Sequence, residues 1–204
     1  MGNLPIWPSV TAHKLYYNAH VVIHGKLNDI VIQGVLNGDC IGVKDGPSAH
    51  KLGLDGYGDD EEDGYNLKPF EALYLMAINR MSVTLNKTPL GFDDLLEACQ
   101  EEDPDILSKY LIYRDLRTRG YVAKDGFGFG MDFRVYDRGD FGVKGARFLV
   151  FGLNQGKRKG AREFCDTIDD ITRMGKEPVV AVIESRGEII YYKTNRITFE
   201  NNKP

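Results

Sequence analysis

Apolar residues near the start of the chain follow a strand-like pattern. The runs HVVIH (20–24), DIVIQGVL (29–36) and CIGV (40–43) are punctuated by glycine and asparagine, which predicts short strands joined by tight turns. Between residues 53 and 64 the apolar period disappears into an acidic, glycine-rich run, read as a surface loop. Pro69 then opens a helix, where its missing N–H is not needed. Phe70, Leu73, Tyr74, Ala77 and Ile78 lay down one apolar stripe along it. The run NKTPLG (86–91) reads as a linker and closes a small α+β unit over residues 1–88.

The second unit, residues 89–204, begins with two helices. Phe92, Leu95, Leu96 and Cys99 mark the first; Ile106, Leu107, Tyr110, Leu111 and Tyr113 mark the second, across Pro104 to Arg119. Gly120 stops the second helix. Strand patterns follow in YVAK, MDFRVY, RFLVFGL, VVAVIE and EIIYYK, interrupted by one helix carrying Ala161, Phe164, Cys165, Ile168 and Ile171. Ser185, Arg186 and Gly187 form the expected tip of a hairpin between the last two strands. The expected class is α+β, in two domains, the second a sheet flanked by helices.

Composition narrows the picture only a little. With 204 residues, 42% of them apolar and 27% charged, the chain can bury a core in either unit. No apolar run approaches the ~20 residues that cross a bilayer. Cys40, Cys99 and Cys165 suggest neither a disulfide framework nor a metal knuckle, so a reduced, cytoplasmic protein is expected. The net charge of −4 does not announce a nucleic-acid binder. Charge is unevenly spread, however. Asp55 to Asp63 is strongly acidic, whereas Arg134 to Arg162 carries Arg134, Arg138, Lys144, Arg147, Lys157, Arg158, Lys159 and Arg162 against only Asp137 and Asp140. A polyanion would be drawn to the second stretch.

Candidate chemistry is sparse. Alternation in MDFRVY puts Met131, Phe133 and Val135 on one face and Asp132, Arg134 and Tyr136 on the other. Tyr136 is a candidate base or RNA contact beside Arg134. Lys176, in RMGKE before an apolar strand, is a candidate phosphate partner or a helix-end cation. Phosphate-loop, HExxH and GxSxG patterns are missing. All four histidines (His13, His20, His24 and His50) lie in the first unit, so the second cannot supply an imidazole acid.

The run KYLIYRDLRTRGYVAKDGFGFGMDFRVYDRG (109–139) resembles the signature of archaeal tRNA-splicing endonucleases, as do LKPFEALYLM (67–76) and KEPVVAVIESRGEIIYY (176–192). The resemblance runs through nearly the whole chain in order. It implies a small N-terminal domain and a C-terminal domain with a restriction-endonuclease-like mixed sheet. It also implies metal-free, cofactor-free cleavage of precursor tRNA at bulge-helix-bulge sites, in which the ribose 2′-OH attacks phosphorus and leaves a 2′,3′-cyclic phosphate and a 5′-OH. A tyrosine base, a histidine acid and a lysine cation carry that reaction in the family, matching the needs of the attacking oxygen, the leaving oxygen and the phosphorane. The tyrosine falls on Tyr136 and the lysine on Lys176. The histidine, which precedes a segment ending in an aromatic and LV, falls on Gly145 of GARFLV. A family arginine that clamps a flipped base falls on Asp169, next to Asp170, where repulsion of phosphate is expected.

Those two departures imply a structural unit that does not cut. The family works as four-unit assemblies in which two units cut, so the implied partners are precursor tRNA and a catalytic paralogous subunit in a heterotetramer, with no membrane. The C-terminal strand, with Ile190 and Tyr192, is the expected pairing surface, and Glu184 and Glu188 flank the expected acidic docking tip, where Arg186 replaces an acid. The glycine-flanked basic loop 154–160, with Lys157, Arg158 and Lys159, is either an RNA-contacting insertion or a solvated turn. Alternatives are a catalytic chain with a replaced or borrowed acid, a metal-dependent nuclease using Asp132, Asp169 and Glu184, and a plain RNA-binding domain.

Overall fold

The computed structural model describes residues 31–44, 46–61, 64–128, 130–154, 160–184 and 186–197. The strand expected at 20–24 and the basic residues Lys157, Arg158 and Lys159 lie outside these. The first domain is a six-stranded sheet in the order β3-β4-β2-β1-β5-β6. Its strands are β1 (Ile32–Asn37), β2 (Cys40–Val43), β3 (Asp59–Glu61), β4 (Gly64–Leu67), β5 (Met81–Leu85) and β6 (Thr88–Leu90). Only β1 and β5 run parallel, with Ile32 opposite Met81. The helix α1 (Gly46–Leu54) follows β2 and buries Ala49 and Leu52, one turn apart.

Two segments depart from their expected form. The acidic run is not a free surface loop: Tyr57 is only 3% exposed, and the chain continues directly into the β3–β4 hairpin. The acids Asp59, Asp60 and Glu61 do face solvent, while Gly56 and Gly58 take left-handed conformations (φ +76° and +59°) that turn Tyr57 inward. The expected linker NKTPLG is a hairpin. Asn86 and Lys87, both at positive φ, make a two-residue turn between β5 and β6. A lysine at positive φ lies outside the usual Asn-Gly pattern, which hid this turn.

The central helix α2 (Pro69–Ala77) buries Phe70, Glu71, Ala72, Leu73, Tyr74 and Leu75, more than one face. Glu71 accepts the Lys68 N–H at 2.9 Å, satisfying an open donor at the helix start. Phe70 meets Tyr113 and Phe133 with ring centroids 5.0 and 5.2 Å apart, so this first-domain helix is built into the core of the second. Full burial of such a ring stabilises by about 1.5–3 kcal/mol.

The second domain opens with α3 (Phe92–Glu102) and α4 (Ile106–Thr118); Gly120 (φ +86°) ends α4 as expected. Its sheet has the order β11-β10-β9-β8-β7, from β7 (Val122–Gly128), β8 (Met131–Tyr136), β9 (Phe148–Asn154), β10 (Glu177–Ile183) and β11 (Ile189–Lys193). β9 and β10 are parallel; the other neighbours are antiparallel. Along β10, Val179 and Ala181 join the core shared with α4, while Val180 joins Leu149, Phe151 and Ile171 beneath α5 (Ala161–Arg173). The sheet is therefore covered on both sides, as the α+β reading requires. No helix among the described residues is long and apolar enough to cross a membrane.

A polar knot joins the domains. Both oxygens of Glu71 accept the Gly58 N–H at 3.1 Å, and Lys124 of β7 donates to the Gly58 carbonyl and pairs with Asp59 at 2.9 Å. Glu71 and Lys124 are 1% and 4% exposed. Burial pushes the Glu71 carboxyl up to about 7, against the pull of Lys124 and of the Lys68 and Gly58 N–H groups, with Asp59 adding to the push. A carboxyl raised on folding contributes fully below its unfolded pKa, and that contribution is lost as pH rises through the folded value. Unfolding free energy is thus expected to drop by roughly 1–3 kcal/mol on this account between the ordinary carboxylate range and neutrality. Urea titrations across pH 4–8 check it: Glu71→Gln should remove that slope, and identical slopes in both proteins would refute the assignment.

Candidate functional site at one end of the second sheet

The end of β8 and the starts of β9 and β10 meet at one end of the second sheet, because β8 runs antiparallel to β9 and β9 parallel to β10. Tyr136 is the last residue of β8, Gly145 and Ala146 approach β9, and Lys176 precedes β10. Backbone bonds hold this convergence: Arg147 N–H donates to the Val135 carbonyl at 2.9 Å, and Glu177 N–H donates to the Arg147 carbonyl at 3.0 Å. The turn between β8 and β9 is fastened by the Val143 and Lys144 N–H groups on the Asp140 carbonyl.

Lys176 reaches toward the open side of Gly145. A Cβ built on Gly145 would lie 3.2 Å from Lys176 Nζ. The position left without a side chain is therefore beside the ammonium. Tyr136 is half-buried, and its ring meets Phe141 edge-on at 5.1 Å. Tyr136 ends β8 and Lys176 precedes β10, with β9 between them, so the fold brings two residues 40 positions apart in sequence to the same end of the sheet.

A charge ladder crosses the same end of the sheet. Arg147 bridges Asp137 at 3.1 Å and Glu177 at 3.0 Å, and Lys193 reaches Glu177 at 2.8 Å. Hydrogen bonds from Lys193 and then Arg147 hold the Glu177 carboxyl below its usual range. Arg147 also lies over the Phe148 ring at 4.7 Å. Among the described residues Lys176 forms no ion pair within 4 Å, so the acids nearest in sequence are committed elsewhere. Arg147 was not singled out from the sequence, because a ladder across four strands has no linear spacing.

Other candidates behave differently from expectation. Arg134 turns its Nε to the Asp125 carbonyl at 2.7 Å, an engagement within the sheet. Lys144 pairs with Asp140 at 3.0 Å, so the basic stretch is partly neutralised on folding. Asp169 accepts Arg196 at 2.6 Å and is not the bare repelling acid the sequence suggested; Asp170 pairs with Arg173 at 2.7 Å. Asp132 accepts the Gly152 N–H at 2.5 Å. Asp132 and Asp169 therefore serve separate local partners. Among the described residues no group of three or more His, Cys, Asp or Glu could hold a metal ion, so the donor set of the metal-nuclease alternative is not assembled.

The edge strand β11 exposes Ile190 (37%) and Tyr192 (52%). Just before it, Glu184 and Glu188 are exposed, and the Glu184 N–H donates to the Glu188 carbonyl at 2.9 Å.

Similarity to known proteins agrees with this architecture. Residues 32–96 match the N-terminal domain of tRNA intron endonuclease, and residues 106–191 match its catalytic C-terminal domain. The tRNA-splicing endonuclease of Methanococcus maripaludis is 30% identical over 162 residues, covering 79% of this chain and 92% of that protein. The one from Pyrococcus horikoshii is 31% identical over 144 residues, covering 71% and 83%. With both domains matched in order and relatives of this similarity spanning most of the chain, the protein belongs to the tRNA intron endonuclease family.

Proposed function

We propose that this chain is a non-cutting unit of a tRNA-splicing endonuclease, supporting a catalytic paralogue that excises introns from precursor tRNA. One observation carries the reading: the position expected for the proton-donating histidine is Gly145, where a Cβ would lie 3.2 Å from Lys176 Nζ, and residues 89–204 contain no histidine. The remaining groups suit the other roles. Tyr136 would take the proton of the attacking 2′-OH and Lys176 would stabilise charge on the phosphorane, but the leaving 5′-oxygen would lack its acid. Cleavage by the partner would give a 2′,3′-cyclic phosphate and a 5′-OH.

The exposed Ile190 and Tyr192 on β11, which is an edge strand among the described residues, support pairing with another unit through an apolar edge that isolated proteins usually avoid leaving open. Glu184 and Glu188 would dock on a basic surface of the catalytic partner. A heterotetramer follows if each such unit pairs with a histidine-bearing one.

Co-expression with a histidine-containing paralogue tests this. Cleavage of an intron-bearing precursor tRNA is expected from the mixture and not from the purified chain. Cleavage by the chain alone, abolished by Tyr136→Phe, would instead establish a catalytic unit with a replaced acid.

A further inference from the structure

Gly56 belongs to the first domain, yet it abuts both neighbours of Tyr136. A Cβ at Gly56 would lie 2.5 Å from Val122 Cγ1 and 3.4 Å from Phe141 Cδ1. Val122 is the residue directly opposite Tyr136 across the β7–β8 ladder. Phe141 is the ring that meets Tyr136 edge-on at 5.1 Å and 90°. The backbone of one first-domain glycine therefore fills the space behind the two side chains that bound the tyrosine.

The turn that carries Gly56 is anchored far more heavily than a surface turn requires. Asp55 pairs with Arg80 at 3.1 Å, and the Asp55 carbonyl accepts Arg117 Nη2 at 2.9 Å. The Arg117 guanidinium lies 3.9 Å from the Tyr57 ring centre. Gly58 is gripped from both sides, its N–H by Glu71 and its carbonyl by Lys124. Two of these anchors, Arg117 and Lys124, come from α4 and β7 of the second domain. With φ +76° and no room for a Cβ, Gly56 is the one residue type that permits so close an approach.

We propose that the Asp55–Gly58 turn, acting through Val122 and Phe141, is a positioning device for Tyr136, so that docking of the first domain sets the orientation of the phenol in the second. Phe141 and Val122 are positioning residues that need not touch RNA. The inference rests on the reading of Tyr136 as part of the RNA site, and its test needs no cleavage activity, so the two can fail separately.

The full chain is prepared with 3-fluorotyrosine in place of Tyr136 and observed by fluorine NMR. A single narrow line is expected, since the ring is held on two sides. Phe141→Ala should move or broaden that line by more than its width. Phe141→Tyr, which keeps the ring edge, should restore it. Val122→Ala gives a second, independent approach to the same ring, and an unchanged urea midpoint identifies variants whose fold is intact. A resonance that keeps its position and width in both alanine variants would overturn the proposal. A line displaced in both, restored by Phe141→Tyr and displaced likewise by Arg117→Met, which frees the Asp55 carbonyl, would establish it.

Discussion

A histidine placed at position 145 is expected to give the isolated chain RNA-cleaving activity about 10²–10⁴-fold above its own background, the usual contribution of a positioned general acid. Three features support so large an effect from one substitution. Tyr136 and Lys176 already lie at one end of the sheet. Gly145 is exposed and its φ is not in the left-handed region, so a side chain meets no backbone strain. The nearest atom to the new Cβ is the tip of the flexible Lys176 side chain, at 3.2 Å, which can withdraw by a few tenths of an ångström. Stability should therefore change by no more than about 0.5 kcal/mol. Cleavage of a bulge-helix-bulge RNA by Gly145→His, with Gly145→Gln as a control of similar bulk and no acid, is the measurement. If Gly145→His binds the RNA and still fails to cut above the parent level, the idea that only the acid is missing is wrong.

The second large effect concerns the joint between the domains. Lys124→Met is expected to lower the unfolding free energy by about 1–3 kcal/mol, the cost of leaving a buried acceptor, the Gly58 carbonyl, without its donor. The substitution leaves three groups without their cation or donor at once: the Glu71 carboxylate, the Gly58 carbonyl and Asp59. Glu71 then either keeps an uncompensated charge in the interior or takes up a proton, which weakens its acceptance of the Gly58 and Lys68 N–H groups. Combining Lys124→Met with Glu71→Gln should cost less than the sum of the two single changes, because the groups share one network. Urea unfolding measures all three; a loss for Lys124→Met below about 1 kcal/mol would mean that the knot is not a mainstay of the fold.

How far the sequence reached depends on the range of each interaction. Strands β7 to β11 and helices α2 to α5 were legible because their determinants are local: period-two and period-3.6 apolar patterns, Pro69 at a helix start, Gly120 at a helix end. The helix α1 went unread, as only two of its nine residues, Ala49 and Leu52, are buried and its stripe is weak. The candidate site was partly legible in the same way. Tyr136 and Lys176 stand beside recognisable strand patterns, and the lack of any histidine after residue 88 is a plain property of the chain.

What the chain by itself determined was the family signature, the two-domain order and a second domain without a histidine. What only the tertiary structure decided was which charges are free. Asp169 looked like a repelling acid until Arg196, from the segment that follows β11, closed on it, and the basic stretch after Arg134 looked available until Arg147 was seen spanning Asp137 and Glu177. The same holds for the acidic turn, whose Gly56 and Gly58 read as solvent-facing until Tyr57, Arg117, Glu71 and Lys124 converged on them. Ion pairing and burial depend on distances between segments tens of residues apart. No local pattern encodes those distances, whereas backbone periodicity and the identity of a single side chain are written directly in the order of the residues.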